Sequence, residues 1–336
     1  MTTSTNTVGA LEPMIPATRV PQAFDIAETF GIPAPLGLTL TGWSQPGPLT
    51  PPARLDYCFR PGVLSDLLGW LRERQTGCPD GLWIRGPTGC GKSSVVVETF
   101  ARLHLDLIRV NGRQHLELAD LLGHLTALDG DVLFQDGPLT LAARLGAVLL
   151  LDEVDLLDPG ELAGLNGVLD GGPLMLAENG GEVVWPAPGF GLICTANTGG
   201  GGDPTGSYLG TQRMNLALLD RFSLMAVDYP EPAQEAELLA RACPELPEPL
   251  RAAMIVVAGE VRALFVGGQE DRAPIEVTLS TRTLLRWARK VVLYRNAPQP
   301  LQHALDRALT GRAEPETRAA IFGIVQRVFG EEAGHG

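Results

Sequence analysis

Hydrophobic and polar positions along the chain follow two different periods. Residues 62–75, GVLSDLLGWLRERQ, place Val63, Leu64, Leu67, Leu68 and Leu71 on one face, the spacing of an amphipathic helix. Beyond that helix, short apolar runs alternate with helical ones. LWIR predicts a strand, KSSVVVETFARL a helix, DLIRV a strand and LELADLLGHL a helix. AVLLLDEV, GLICTA and LMAVDY continue the strands, with GELAGLNGVL and MNLALLDRF as the helices between them. Strands apolar on both faces, each followed by a helix, predict an α/β fold: a parallel sheet covered by helices.

Two segments interrupt this rhythm. LTALDGDVLFQDGPL carries Asp-Gly pairs at 129–130 and 136–137, and PLMLAENGGEVVWP has Asn179-Gly180 between β-prone runs, a hairpin signal. After GLICTA the glycine-rich GGGGDPTG reads as a mobile connector leading to LLDRF. From about residue 231 the strands stop, and runs such as AQEAELLARA and TRTLLRWARKVVLY read as helices. The chain thus divides into a disordered N-terminus (1–20), a small N-terminal segment (21–56), an α/β core (57–230) and a helical lid (231–336).

Composition changes the picture mainly by exclusion. The 336 residues are 45% hydrophobic and 19% charged, an ordinary globular balance, with a formal net charge of −13. Arginines are scattered and lysine occurs only at Lys92 and Lys290, so no basic patch offers itself to nucleic acid. No apolar run approaches the roughly 18 residues of a membrane span, and the start lacks the layout of a signal peptide. Cys58, Cys78, Cys90, Cys194 and Cys243 form no C-x-x-C pair, and the histidines lack metal spacing. A reduced, cytoplasmic protein without disulfides or zinc is expected.

The chemistry is concentrated in a few motifs. GPTGCGKSS matches G-x-x-x-x-G-K-[ST] between a predicted strand and a predicted helix. The glycines let backbone N–H groups converge on a β-phosphate, and the helix N-terminus adds a positive dipole. Gly86, Pro87, Thr88, Gly89, Cys90, Gly91, Lys92, Ser93 and Ser94 are therefore the expected ATP-binding loop. Lys92 would reach the β- and γ-phosphates, and the Ser93 hydroxyl would bind Mg²⁺. The apolar run before Asp152 delivers that carboxylate to a strand's C-terminal end, where it would hold Mg²⁺ through water. Glu153 beside it would polarise the attacking water, which marks a hydrolase rather than a small-molecule kinase. Asp155 is either a support for this pair or a solvated carboxylate at a helix start.

GGGGDPTG is no second phosphate loop, because it has neither a lysine nor a helix start. Its role follows from Asn197, at the end of a strand expected to neighbour both the phosphate-loop strand and the Asp152 strand. An amide there can orient the attacking water; a plain turn residue before glycine is the alternative. Arg221 in LLDRF sits at the domain edge, where it would reach a neighbouring copy's nucleotide as an arginine finger. A surface salt bridge to Asp220 is the competing reading. In STRTLLRWA, Arg282 opens a lid helix and is placed to touch a γ-phosphate, with Arg286 four residues on; an ordinary exposed arginine is the alternative. Neither lysine lies in an N-K-x-D motif, so ATP is expected rather than GTP.

These elements in this order resemble AAA+ ATPases, and the two hairpins resemble the MoxR and chelatase clade. TANTGGGGDPTGSYLGTQRMNLALLDRF, with QAFDIAETFGI, LDYCF, LIRVNG, STRTLLRWA and RALTG, is similar to the CobS-type ATPase subunit of aerobic cobaltochelatase. The resemblance covers most of the chain after about residue 20; LLDPGELAGLNGVLDGG and the Pro/Gly-rich N-terminal segment depart most from it. It implies a hexameric ring with ATP between subunits. It also implies a von Willebrand A-like (CobT-type) partner and a large corrin-binding subunit, in which cobalt enters hydrogenobyrinic acid a,c-diamide. A MoxR-type chaperone that remodels another enzyme is the alternative. In this clade the hairpins project from the ring face or toward its pore, so the apolar run Val132, Leu133 and Phe134 is the expected target contact; packing against a neighbouring copy in the ring is the alternative.

Overall fold

The computed structural model describes residues 19–128, 130–202, 208, 210–266 and 275–330. Residues 1–18 of the expected disordered N-terminus (1–20), Asp129 of the first hairpin turn and the DPTG half of the glycine-rich connector lie outside the described residues. Arg19, by contrast, is buried and pairs with Asp106 at 2.7 Å, which corrects the expected disorder there. β1 (Pro21–Asp25) and β2 (Thr39–Trp43) pair antiparallel around the short helix α1 (Ile26–Phe30). This unit has no core of its own. Ile26, Phe30 and Leu40 join a cluster with Leu64, Leu67, Leu68 and Leu71 of α2 (Pro61–Gln75), the face the helical spacing predicted.

The core then runs β3 (Gly81–Arg85), α3 (Lys92–Arg102), β4 (Leu107–Asn111) and the short α4 (Leu118–Leu122). Hairpin β5 (Gly123–Leu128)–β6 (Asp131–Asp136) follows, then α5 (Pro138–Leu145) and β7 (Val148–Asp152). After β7 come α6 (Pro159–Leu162), α7 (Asn166–Leu169) and hairpin β8 (Leu174–Leu176)–β9 (Glu182–Val184). β10 (Gly191–Ala196), α8 (Leu216–Leu219) and β11 (Phe222–Ala226) complete it. Among the described residues five strands form one parallel sheet in the order β11-β3-β10-β7-β4. β10 therefore lies between the phosphate-loop strand and the Asp152 strand, as expected. Every residue of β7 and β10 is buried, and each leucine so placed contributes about 1.5–3 kcal/mol over exposure.

Three helices are shorter than their patterns predict. The helix expected over LELADLLGHL stops at Leu122, because Gly123 (φ 133°) turns the chain into β5. GELAGLNGVL breaks into α6 and α7 with a 3₁₀ turn between them, where Gly164 lies so close to Leu118 that any Cβ would collide with it. MNLALLDRF yields only the single turn of α8, capped by Asn215, before Phe222 enters the sheet.

Both predicted hairpins are present, and Arg144 of α5 ties them together. Its guanidinium bonds Asp136 at the foot of the first at 2.8 Å and Glu182 in the second at 2.7 Å. The expected apolar contact run is corrected in its detail. Register places Leu125, Ala127, Val132 and Phe134 on one face, but Phe134 packs down against the core, leaving Leu125 and Val132 (69% exposed) outward. The second hairpin exposes Met175, Val183 and the adjoining Trp185.

The C-terminal region is helical: α9 (Pro232–Ala242), α10 (Glu248–Val266), α11 (Thr281–Leu293), α12 (Pro300–Ala308) and α13 (Pro315–Phe329). It packs around its own core, which includes Met254, Val261, Leu279, Leu284, Trp287 and Ile321. A buried ion pair, Arg262 to Glu235 at 2.7 Å, joins α10 to α9, and Glu235 also accepts from the Thr281 hydroxyl at the start of α11. Arg262 stacks over Tyr229, whose hydroxyl donates to the Thr88 carbonyl at 3.0 Å. The helical region is thus linked through Tyr229 to the loop that follows β3. Among the described residues no helix is long and apolar enough to cross a membrane.

Candidate active site

β3 ends at Arg85 and α3 begins at Lys92, so residues 86–91 form the connecting loop. Gly89 (φ 69°) and Gly91 (φ 105°) occupy backbone conformations that side chains rarely adopt, and a Cβ on Gly89 would also meet Ser280. Lys92 is buried; its Nζ donates to the Gly86 carbonyl at 2.6 Å, the Pro87 carbonyl at 3.1 Å and the Asn197 Oδ1 at 3.0 Å. Burial pushes its ammonium below the ordinary lysine value, against the pull of Asp155, Asp152 and Glu153 nearby. Cys90 turns away from the loop, its Sγ donating to the Val227 carbonyl at 3.0 Å.

The sheet brings the second set of residues to the same place. Asp152 ends β7 and is buried; its Oδ1 accepts from the Ser93 hydroxyl at 2.5 Å and from the Thr195 hydroxyl. Its Oδ2 accepts from Arg109 of β4 through Nε at 2.9 Å and through Nη2. Burial opposes the charge on Asp152, yet the two hydroxyls and Arg109 outweigh it and hold the carboxyl below the usual carboxylate range. Two hard oxygen ligands, Ser93 Oγ and the Asp152 carboxylate, are thus adjacent beside the phosphate loop. That donor set suits Mg²⁺, which takes one or two protein oxygens and completes its shell with phosphate and water. Among the described residues no group of three His, Cys, Asp or Glu forms a metal cage of its own.

Glu153 is exposed to the cavity and adopts φ 57°, a left-handed conformation that costs a non-glycine residue about 1–2 kcal/mol. Its backbone N–H donates to the Thr195 hydroxyl at 3.1 Å, which helps hold that conformation. The reading of Asp155 as solvated is overturned. It is fully buried, and its Oδ2 accepts from the N–H groups of Asn197 at 2.8 Å and Thr198 at 3.2 Å. Asp155 fixes the turn that presents Asn197. Burial raises its carboxyl above the ordinary value, while those N–H bonds pull the other way.

Lys92, Ser93, Arg109, Asp152, Glu153, Thr195 and Asn197 line a cavity of about 280 Å³ that also takes in Thr88, Gly89, Gly91, Ser94, Asn111 and Arg282. Arg282 sits in the first turn of α11, behind the Ser280 cap, and packs near Gly89; among the described residues it makes no hydrogen bond or ion pair. Arg286 points elsewhere, its Nη1 donating to the Ala308 carbonyl at 3.4 Å. Arg221 lies outside the cavity. It pairs with Asp170, at the end of α7, at 2.7 and 2.9 Å, and not with Asp220. A larger cavity of about 580 Å³ lies at the opposite ends of the strands, against Trp43, Arg74, Trp185 and Phe190, and carries no phosphate-binding motif.

Sequence reasoning passed over Arg109, Asn111 and Thr195. The one available signal was a charged residue inside the apolar run DLIRV, just before the strand's C-terminal end.

Comparison with known proteins agrees with this geometry. Residues 81–222 match the model of the AAA domain (dynein-related subfamily), and residues 235–328 match that of the CbbQ/NirQ/NorQ C-terminal domain. The chain is 28% identical over 317 residues to aerobic cobaltochelatase subunit CobS from Sinorhizobium sp, an alignment covering 91% of this chain and 90% of that one. Protein NorQ of Paracoccus denitrificans is 33% identical, with 71% and 86% covered. Denitrification regulatory protein NirQ of Stutzerimonas stutzeri is 32% identical, with 76% and 86% covered. With a matching ATPase domain, a matching C-terminal domain and these relatives, the chain belongs to the CbbQ/NirQ/NorQ and CobS family of AAA+ ATPases.

Proposed function

We propose that this ATPase is the motor subunit of a CobS-like cobaltochelatase, whose ATP turnover drives cobalt insertion into a corrin precursor held by a partner. The observation that carries the ATPase chemistry is the convergence of Lys92, Ser93, Asp152, Glu153 and Asn197 on one cavity. The chelatase assignment is supported by the reach of the likeness to CobS, which extends over 91% of this chain and 90% of that one.

The loop N–H groups receive the β-phosphate, and Lys92 exchanges its carbonyl partners for β- and γ-phosphate oxygens. Ser93 and Asp152 would hold Mg²⁺, which would supply charge neutralisation on those oxygens. Glu153 accepts a hydrogen bond from the attacking water and draws off its proton as the oxygen bonds to the γ-phosphorus and the bond to ADP breaks. Asn197, held by Asp155, orients that water. Arg282 senses the γ-phosphate from the lid. Arg221 is supplied by one copy to the nucleotide of the next in a hexameric ring.

A second reading has a specific support of its own. The match over residues 235–328 and the higher identity to NorQ and NirQ favour a MoxR-type motor that activates another protein with a von Willebrand A-like partner. One experiment separates the two. The purified chain, a CobT-type partner and a corrin-binding subunit are mixed with ATP and Co²⁺, and cobalt incorporation is read from the corrin spectrum. Incorporation that requires ATP and Glu153 supports the chelatase; partner-stimulated ATPase without incorporation supports the remodelling motor.

A further inference from the structure

We infer that Arg109 is a resident cation of the metal site: its guanidinium and Mg²⁺ compete for the Asp152 carboxylate, so Arg109 sets how much Mg²⁺ the site requires. This rests on the reading of Ser93 and Asp152 as the metal-holding residues.

Asp152 makes the competition necessary. Its side chain is only 7% exposed, and a carboxylate that buried is costly unless a positive charge faces it. Among the described residues Arg109 is its one ion-pair partner. Lys92 does not substitute, because its ammonium is spent on two loop carbonyls and Asn197. Both Arg109 bonds fall on Oδ2, while the Ser93 and Thr195 hydroxyls occupy Oδ1. The carboxylate is saturated, so a divalent ion with its water shell gains access only by weakening one of these contacts.

Arg109 is the contact built to yield. Its side chain is 51% exposed, so the guanidinium that leaves Asp152 passes into water at little cost. The fold does not depend on it. β4 is an edge strand held to β7 by backbone pairing, with Arg109 opposite Leu150 and Asn111 opposite Asp152. Alternation along β4 puts Leu107, Arg109 and Asn111 on the face that carries Ser93, so a long side chain at 109 reaches the carboxylate from the open side. A purely structural ion pair would affect melting and leave the metal requirement unchanged.

The test compares the full chain with R109Q and with R109K, following mant-ADP binding by fluorescence as Mg²⁺ is titrated, with melting temperature as the fold control. With the competing charge removed, R109Q should reach half-saturation at about one tenth of the wild-type Mg²⁺. R109K keeps the charge but loses the two-bond fork on Oδ2, so its shift should be clearly smaller than that of R109Q. If R109Q needs the same Mg²⁺ or more, or if R109K shifts as far as R109Q, charge competition is wrong. If Mg²⁺ does not alter mant-ADP binding even in the wild type, the reading of Ser93 and Asp152 fails, and this inference fails with it.

Discussion

Asp152 and Arg221 are charged groups of the same α/β core, and the chain treats them in opposite ways. Asp152 is buried, and its two oxygens are met by three residues from three elements, Ser93, Thr195 and Arg109. Arg221 is at the surface, held by the carboxylate of Asp170 and the carbonyl of Ala217. That pairing draws Asp170 below its usual range through hydrogen bonding to Arg221, but it stands in solvent where such pairs are weak. The cavity floor is set by the chain itself, whereas the edge is held provisionally. On the proposed reading, a motor that fires only in an assembly would need this division: phosphate-binding geometry inside each copy, and a last charge free to change partner on contact.

The largest effects belong to the floor. K92A should abolish nucleotide binding in equilibrium titration, since the loop loses its one lysine. E153Q should bind ATP as the wild type does while phosphate release falls by orders of magnitude. Equal loss of binding in the two variants would break the division of roles between phosphate holder and water activator.

The edge comes next. R221A should bind ATP nearly normally yet turn over about 10³–10⁵-fold more slowly, the range measured for arginine fingers. Mixing R221A with E153Q tests whether the finger acts in trans. Interfaces that pair an intact Glu153 with an intact Arg221 should recover part of the activity in confirmed mixed rings. No recovery at any ratio argues that Arg221 serves its own subunit.

The same contrast explains what was legible in the sequence. GPTGCGKSS, LLLDE and ICTAN each combine a buried strand with chemistry at its end, so local pattern gave both the element and the placement of Lys92, Asp152 and Asn197. Arg109 was not legible as a site residue, because its role arises from a register between two strands 37 residues or more apart in the chain. Asp170 was hidden for a related reason. It lies just past the helix expected over GELAGLNGVL, and its partner Arg221 is 51 residues further along the chain. Phe134 was read as outward because an apolar run alone does not reveal which end of a hairpin meets the core.

A smaller effect is expected at the hairpins, which are edge-like in that their apolar side chains Leu125, Val132, Met175 and Val183 stand exposed. V132D places a charge on the outward face without touching the core, unlike a change at half-buried Phe134. It should lower partner-stimulated ATPase severalfold while basal ATPase and ring size, read by light scattering, stay near wild type. A loss of ring size instead assigns the hairpin to contacts between copies.

The smallest expected effect tests the provisional character of the edge most directly. D170N removes the charge that holds Arg221 but keeps an amide of similar shape on an exposed position, so folding should be unaffected. If Arg221 must leave Asp170 to reach a neighbour's nucleotide, weakening the pair favours the exchange. Exposed ion pairs are weak, so the gain should be no more than about threefold. It should appear as a fall in the protein concentration at which ATPase is half-maximal, with the turnover of fully assembled protein almost unchanged. The direction carries the information. A rise in that concentration would mean that Asp170 orients Arg221 for its task, and the pair would then belong with the fixed geometry of the cavity floor.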